Sequence, residues 1–173
     1  SKRTMGIAQV LYQAGYISYM RTDSQNLSDK AIHEIRNLVQ NELGKEYLPE
    51  TPNYYKSKSK SAQEAHEAIR PTDFSVTRKK IKDEFGEAEA KLYDLIWKRA
   101  VSSQMSEKRA EILTVTLKPK DVNKPIYEFN LGGERTLFDG FRKILSTKKM
   151  DDDLQEVSKI KEGEILKKIS FEK

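Results

Sequence analysis

The apolar rhythm of this 173-residue sequence changes once, near residue 109, and that change bounds what the chain can fold into. Before it, apolar residues recur at helical spacing; after it come short runs of β-formers parted by Pro, Gly and Asn-Lys turns. Glu87–Gln104 is the clearest helix, with Leu92, Leu95, Ile96, Arg99 and Ala100 along one stripe and Trp97 beside it. Residues 4–14 read as another, with Met5, Ala8, Leu11 and Tyr12 on one face and Gly15 as its stop. Ser28 is a good N-cap for a third, in which Ile32, Ile35, Leu38 and Val39 keep the period up to Gly44. Ser61-Ala62-Gln63-Glu64 has capping-box form, so a short helix is expected there, ended by Pro71. Tyr16–Met20 is short, aromatic and apolar, hence extended. Beyond the boundary, Ile112–Leu117, Ile126–Leu131, Arg135–Leu145 and Ile165–Phe171 are the expected strands. Gly132-Gly133 would turn a hairpin, and Lys161-Glu162-Gly163 would lead into the last strand. The expected class is α+β: a helical domain over residues 1–109 and a β-rich one over 110–173.

Composition narrows the chemistry. No cysteine is present, which excludes disulfides, zinc-thiolate sites and thiol nucleophiles. No apolar run approaches the ~20 residues a membrane helix needs, so no membrane partner is expected. The net charge of +5 and pI of about 9.2 tilt towards a polyanionic partner without requiring one. Both ends look cut, as in a segment of a longer cytoplasmic protein.

Two constellations could carry chemistry. The first is Ile17-Ser18-Tyr19-Met20-Arg21-Thr22-Asp23-Ser24. A tyrosine oxygen can attack a phosphodiester, and the phosphotyrosine formed retains the bond energy, so resealing needs no ATP. Free tyrosine has a pKa near ~10, so it needs cationic company, and Arg21 can fork two hydrogen bonds onto phosphate oxygens. By itself, Tyr-x-Arg reads more plainly as a buried strand tyrosine followed by a solvated turn. The second constellation is Gln63-Glu64-Ala65-His66-Glu67-Ala68-Ile69-Arg70-Pro71. On a helix, His66 and Arg70 would share a face with Gln63 one turn earlier, making an amide, imidazole and guanidinium cradle for phosphate. The plainer alternative is that Glu64 or Glu67 simply pairs with neighbouring bases. His33 lies off the apolar stripe and reads as solvated. Asp151-Asp152-Asp153 lacks a matching third acid and reads as a solvated loop; no metal site is expected in this chain.

Gly15-Tyr16-Ile17-Ser18-Tyr19-Met20-Arg21-Thr22-Asp23-Ser24 resembles the active-site tyrosine signature of bacterial type IA DNA topoisomerases, and Gln63–Pro71 resembles their second hallmark in the same order. Tyr47-Leu48-Pro49, Lys91–Arg99, Ser103-Gln104-Met105 and Phe138-Asp139-Gly140-Phe141 also fit, and the likeness fades after about residue 145. Met20 favours the topoisomerase I branch, because topoisomerase III relatives usually carry Pro there. Ser18 departs from the Thr of many members but keeps the hydroxyl.

The resemblance implies a helical domain carrying the nucleophile, followed by part of a β-rich arch. It implies ATP-independent relaxation of negatively supercoiled DNA: single-strand cleavage, strand passage and religation. Tyr19 would be the nucleophile, forming a 5′-phosphotyrosyl link, and Arg21 would stabilise the scissile phosphate. Ser18, Asp23, Gln63, His66 and Arg70 would lie along the DNA. Mg²⁺ would be held by an Asp-x-Asp-x-Glu cluster in a Toprim domain preceding this segment, with no ligand from this chain. The partners implied are single-stranded and negatively supercoiled DNA and the remaining domains of the same polypeptide, in the bacterial cytoplasm on the nucleoid. Without the Toprim domain the segment would be inactive. The competing expectations are a non-catalytic single-stranded DNA-binding module, stacking bases on Tyr54 and Tyr55 beside Lys56, Lys58 and Lys60, and an inert structural piece.

Overall fold

The computed structural model describes residues 2–55, 67–118, 128–145 and 154–165. The helices are α1 (Lys2–Gln13), α2 (Asp29–Glu42), α3 (Arg78–Phe85), α4 (Glu87–Ser102), α5 (Arg142–Leu145) and α6 (Leu154–Val157). A 3-10 turn spans Lys45–Tyr47, and two strands, β1 (Arg109–Leu117) and β2 (Phe129–Phe138), form an antiparallel ribbon. The class is α+β, as expected. No helix among the described residues is long and apolar enough to cross a membrane.

Local chemistry starts and stops the helices. Ser28 caps α2: its Oγ accepts from the Ala31 N–H at 3.4 Å, an interaction worth ~1 kcal/mol in comparable caps. Thr77 does the same for α3 through the Lys80 N–H. Helix α3 is not among the helices expected from the apolar period, although Thr77 as cap and the Ile81/Phe85 spacing foreshadow it. Gly86, at φ +106°, ends α3 and opens α4 in one residue, a backbone conformation that L side chains resist. Across this corner Glu87 pairs with Arg78, Lys82 and Lys91.

Helix α4 is the spine of two cores. Ala8, Leu11, Ile17, Met20, Ile81, Ala90 and Tyr93 pack into one; Ala31, Ile35, Val39, Phe74, Ala100, Val101 and Met105 form the other, and Trp97 touches both. Its buried face keeps part of the expected stripe, with Ala100 buried and Leu92 and Ile96 half-buried against the first core, but Leu95 is 51 % exposed and Ala90, Tyr93 and Val101 are buried as well. The cause is polar. The Tyr93 hydroxyl reaches the carbonyls of Asp73 (3.2 Å) and Val76 (3.3 Å), and the Trp97 indole N–H reaches that of Phe74 (3.0 Å). These bonds satisfy a non-helical stretch that must lie against α4. On α1 only Ala8 and Leu11 are buried; Met5 and Tyr12, placed on the same face, are exposed, because among the described residues α4 is the one helix that α1 packs closely against.

The chain divides into two units, Ser1–Glu107 with Gly140–Ser146, and Lys108–Asp139 with Thr147–Lys173. The expected division at 109/110 therefore shifts slightly, and residues 140–146, assigned to the β-rich part, belong with the helices. Phe141 and Ile144 pack onto the second core, and the Phe141 N–H donates to the Ser106 carbonyl at 2.8 Å. Within the other unit, Gly132-Gly133 is no turn: Thr114 pairs with Gly132 and Leu113 with Gly133 in mid-ribbon. The two runs around these glycines fuse into β2, because each glycine sits opposite a ladder partner rather than at a loop. The expected strand Arg135–Leu145 stops at Phe138 and continues as a turn and α5. Leu154 and Val157 of α6 are buried in the ribbon unit. The Lys161–Gly163 turn forms, with the Glu164 N–H on the Lys161 carbonyl at 3.0 Å, whereas most of Ile165–Phe171, like the start expected for the Ser61 helix, lies outside the described residues.

Gly140 closes the base of the β-ribbon excursion at φ +51°, and a Cβ there would collide with the backbone of Ser106 and Glu107. Gly140→Ala is expected to destabilise the helical unit by at least ~1–2 kcal/mol from the left-handed conformation alone; chemical denaturation followed by tyrosine and tryptophan fluorescence measures this.

Candidate active site

Gly15 ends α1 and sends the chain into an extended stretch. There Ile17 forms an isolated antiparallel bridge with Pro71. The Ser18 N–H donates to the Arg70 carbonyl (2.8 Å), and the Thr72 N–H donates to the Tyr16 carbonyl (3.1 Å). Thr72 Oγ1 adds a bond to the Gly15 carbonyl at 2.6 Å. Ile17 and Met20 point into the first core, and Tyr19, between them, points out, 45 % exposed. The Tyr19 ring meets the Tyr12 ring edge-on at 5.3 Å. Tyr12, placed by the sequence on the apolar face of α1, is thus the aromatic neighbour of Tyr19.

Arg21 and Asp23 come next on the same exposed loop, and neither forms a hydrogen bond or ion pair among the described residues. The loop holds itself extended through short bonds from the Ser24 N–H to Thr22 Oγ1 (3.1 Å) and from the Asn26 N–H to Ser24 Oγ (3.3 Å). Its far end is fixed where the Ala68 N–H donates to the Asn26 carbonyl at 2.8 Å.

Tyr16, Tyr54, Tyr55 and Tyr93 have committed hydroxyls. Tyr16 donates to Glu84 at 2.5 Å, and that bond, with lesser help from burial and the Glu84 charge, holds its phenol above the usual value. Tyr54 donates to Asp29 and is held up by that carboxylate's charge and hydrogen bond; Tyr55 donates to the Ser103 carbonyl at 2.6 Å and is raised by burial. Burial likewise pushes Tyr93 up strongly. Tyr19, exposed beside Arg21, has no acceptor for its hydroxyl among the described residues.

Gln63 and His66 lie outside the described residues. Residues 67–70 are not helical, so the expected helical face does not extend to Arg70. His33 is exposed. Arg70 adopts the plainer arrangement, pairing with a neighbouring acid: its Nε donates to Glu67 at 2.6 Å and its Nη1 to the Pro71 carbonyl at 2.8 Å. Glu67 Oε1 also accepts the Ser28 N–H at 2.8 Å, tying this segment to the start of α2. Ser18 is bonded within the fold. Its hydroxyl donates to the Ala68 carbonyl (3.0 Å) and accepts from the Arg70 N–H (2.9 Å). The Ser18 hydroxyl proton is thus already used within the fold, and the residue braces the loop.

Among the described residues no three His, Asp or Glu side chains gather as a metal site requires. Asp151–Asp153 lie outside the described residues.

The folded segment thus presents an exposed tyrosine and arginine on a braced loop, an arrangement suited to attack on an external phosphodiester. A family model described as DNA topoisomerase matches residues 1–173. The sequence is 44 % identical over 153 residues to DNA topoisomerase 1 of Escherichia coli (strain K12), covering 88 % of this chain and 17 % of that protein. It is 43 % identical over 173 residues to DNA topoisomerase 1 of Pseudomonas aeruginosa, covering 99 % of this chain and 19 % of that one. The structure resembles full-length topoisomerase I from Thermotoga maritima with a TM-score of 0.67 and 35 % identity, over 84 % of this chain and 23 % of that chain. The chain belongs to the bacterial type IA DNA topoisomerase family. It spans about a fifth of the length of the topoisomerase 1 relatives it matches.

Glu67 supplies a pH handle. Burial alone would raise its carboxyl, but the hydrogen bonds from Arg70 and Ser28 and the Arg70 charge outweigh it, and its pKa lies below the ordinary 4.5. A depressed folded pKa gives stability that is complete above the unfolded value and lost as pH falls through the folded one. The stability difference between wild type and Glu67→Gln should therefore be level above about pH 5 and shrink below about pH 4, as seen in denaturation midpoints.

Proposed function

We propose that this chain carries the nucleophile of a type IA topoisomerase that relaxes negatively supercoiled DNA without ATP. The observation that supports this best is the exposed Tyr19 with an uncommitted hydroxyl, two residues from an Arg21 unpaired among the described residues, on one braced loop. The Tyr19 oxygen attacks the scissile phosphorus, the bond from phosphorus to the 3′ oxygen breaks, and a 5′-phosphotyrosyl link and a free 3′-hydroxyl result. The link preserves the energy of the broken bond, so the 3′-hydroxyl reseals the strand after passage of another. The planar Arg21 fork donates to the non-bridging oxygens as charge builds on them. Asp23 lies on the same loop as a local electrostatic partner; His66 and Gln63 contact the phosphate backbone, along with the Arg70 N–H groups not used by Glu67 and Pro71.

Mg²⁺ and its acidic ligands come from a Toprim domain of the same polypeptide outside this chain, and the β-rich unit contributes to the arch. The substrate is single-stranded or negatively supercoiled DNA in the bacterial cytoplasm, where the enzyme associates with the nucleoid. The rival reading, a non-catalytic single-stranded DNA-binding module, draws on exposed Tyr54 and Tyr55, but both hydroxyls are tied into the fold and Lys56, Lys58 and Lys60 lie outside the described residues.

In the full-length polypeptide, Tyr19→Phe is expected to abolish covalent adducts on single-stranded DNA while leaving non-covalent binding within about twofold, since the ring and its contact with Tyr12 remain. Adducts persisting in the variant would assign attack to another group, and wild-type binding without adducts would favour the module. The 173-residue chain alone is expected to relax no plasmid with or without Mg²⁺. Mg²⁺-dependent relaxation by it would mean that the metal ligands lie within it.

A further inference from the structure

The loop that carries Tyr19 and Arg21 has little internal support. Its own bonds are the two short side-chain contacts at Ser24 and Asn26, and Tyr19, Arg21 and Asp23 all face solvent. Met20 anchors the loop to the first core, Tyr19 meets Tyr12, and the Tyr55 N–H donates to Asn26 Oδ1; residues 67–70 grip it at both ends. At the entry, Ser18 makes three bonds: its N–H to the Arg70 carbonyl, its Oγ–H to the Ala68 carbonyl, and its Oγ from the Arg70 N–H. At the exit, the Ala68 N–H holds the Asn26 carbonyl, and Glu67 Oε1 holds the Ser28 N–H. The same Glu67 oxygen takes Arg70 Nε, so the carboxylate locks the gripping segment while it grips the start of α2.

We propose that Ser18 and Glu67 are positioning residues for the cleavage reaction: the two jaws of one clamp that fixes the Tyr19–Arg21 loop relative to the segment after His66. The proposal rests on the reading of Tyr19 as nucleophile. Neither jaw acts on DNA itself, because Ser18 has no free donor and a carboxylate repels phosphate. The clamp works through geometry. In-line attack tolerates little misplacement, and an error near 1 Å can cost about a hundredfold in rate. A loop freed at one end keeps its Tyr and Arg but loses their common frame.

The test uses the full-length polypeptide with Ser18→Ala, Ser18→Thr and Glu67→Gln. Three quantities are measured: the rate of covalent adduct formation on single-stranded DNA, the dissociation constant for the same DNA, and amide hydrogen exchange. Ser18→Ala is expected to slow adduct formation about tenfold to a hundredfold at a dissociation constant changed less than about twofold. Its Ser18 and Arg70 amides should exchange faster, and Ser18→Thr, which keeps the hydroxyl, should restore both rate and protection. Glu67→Gln should speed exchange at the Ser28 amide and slow adduct formation in the same way, giving a second reading if Ser18→Ala folds poorly. Adduct formation at the wild-type rate in Ser18→Ala, a loss that appears equally in DNA affinity, or unchanged exchange in both variants would overturn the clamp. If the wild-type enzyme forms no adduct at Tyr19, the nucleophile reading fails, and the exchange data still judge the clamp on their own.

Discussion

The backbone bonds exchanged between Tyr16–Ser18 and Arg70–Thr72 join segments some 50 residues apart, and the geometry around Tyr19 depends on them. They hold the chain after α1 against residues 70–72, with Ile17 buried beneath and Tyr19 left outward. They also bring Glu67 to the start of α2, so one short segment touches the end of α1, the exposed loop and the next helix. A handful of neutral hydrogen bonds, each worth ~1 kcal/mol net, can do this because Ile17, Met20 and Pro71 close the interior beneath them.

Helix α4 gives the brace something to rest on. Its buried face is chosen as much by polar demands as by apolar ones, since Tyr93 and Trp97 satisfy the carbonyls of the 73–76 stretch. Gln104 does comparable work on the second core: it accepts the Asn53 N–H (3.1 Å) and donates to the Asn53 carbonyl (3.0 Å), so a buried amide anchors the loop before Tyr54. These bonds fix backbone that lacks ladder partners, and they explain why irregular segments can hold a site without regular secondary structure around it.

Much of this is legible in the residues. Ser28 caps α2 as expected, Ile32, Ile35 and Val39 face the core, and α4 begins at Glu87. Caps and period are local: they depend on neighbours within a turn or two, which a sequence displays directly. Expectation and structure part where partners are distant. Gly132-Gly133 looks like a turn, yet Leu113 and Thr114 sit across from it in a continuous ladder. Leu95 looks buried by period, yet the carbonyls awaiting Tyr93 and Trp97 turn the helix away from it.

The sequence by itself determined the α+β character, the change of architecture near residue 109 and the residues able to do phosphodiester chemistry, because these depend on side-chain type and local spacing. Only the tertiary structure decided what each of those residues is free to do. Ser18 and Arg70 have the right functional groups for phosphate, but folding commits the Ser18 hydroxyl to the carbonyl of Ala68 and two of the Arg70 N–H groups to Glu67 and Pro71. Arg21 remains unpaired among the described residues. A hydrogen-bond donor serves one acceptor well, and which acceptor comes within about 3 Å is fixed by segments that meet only in the folded chain.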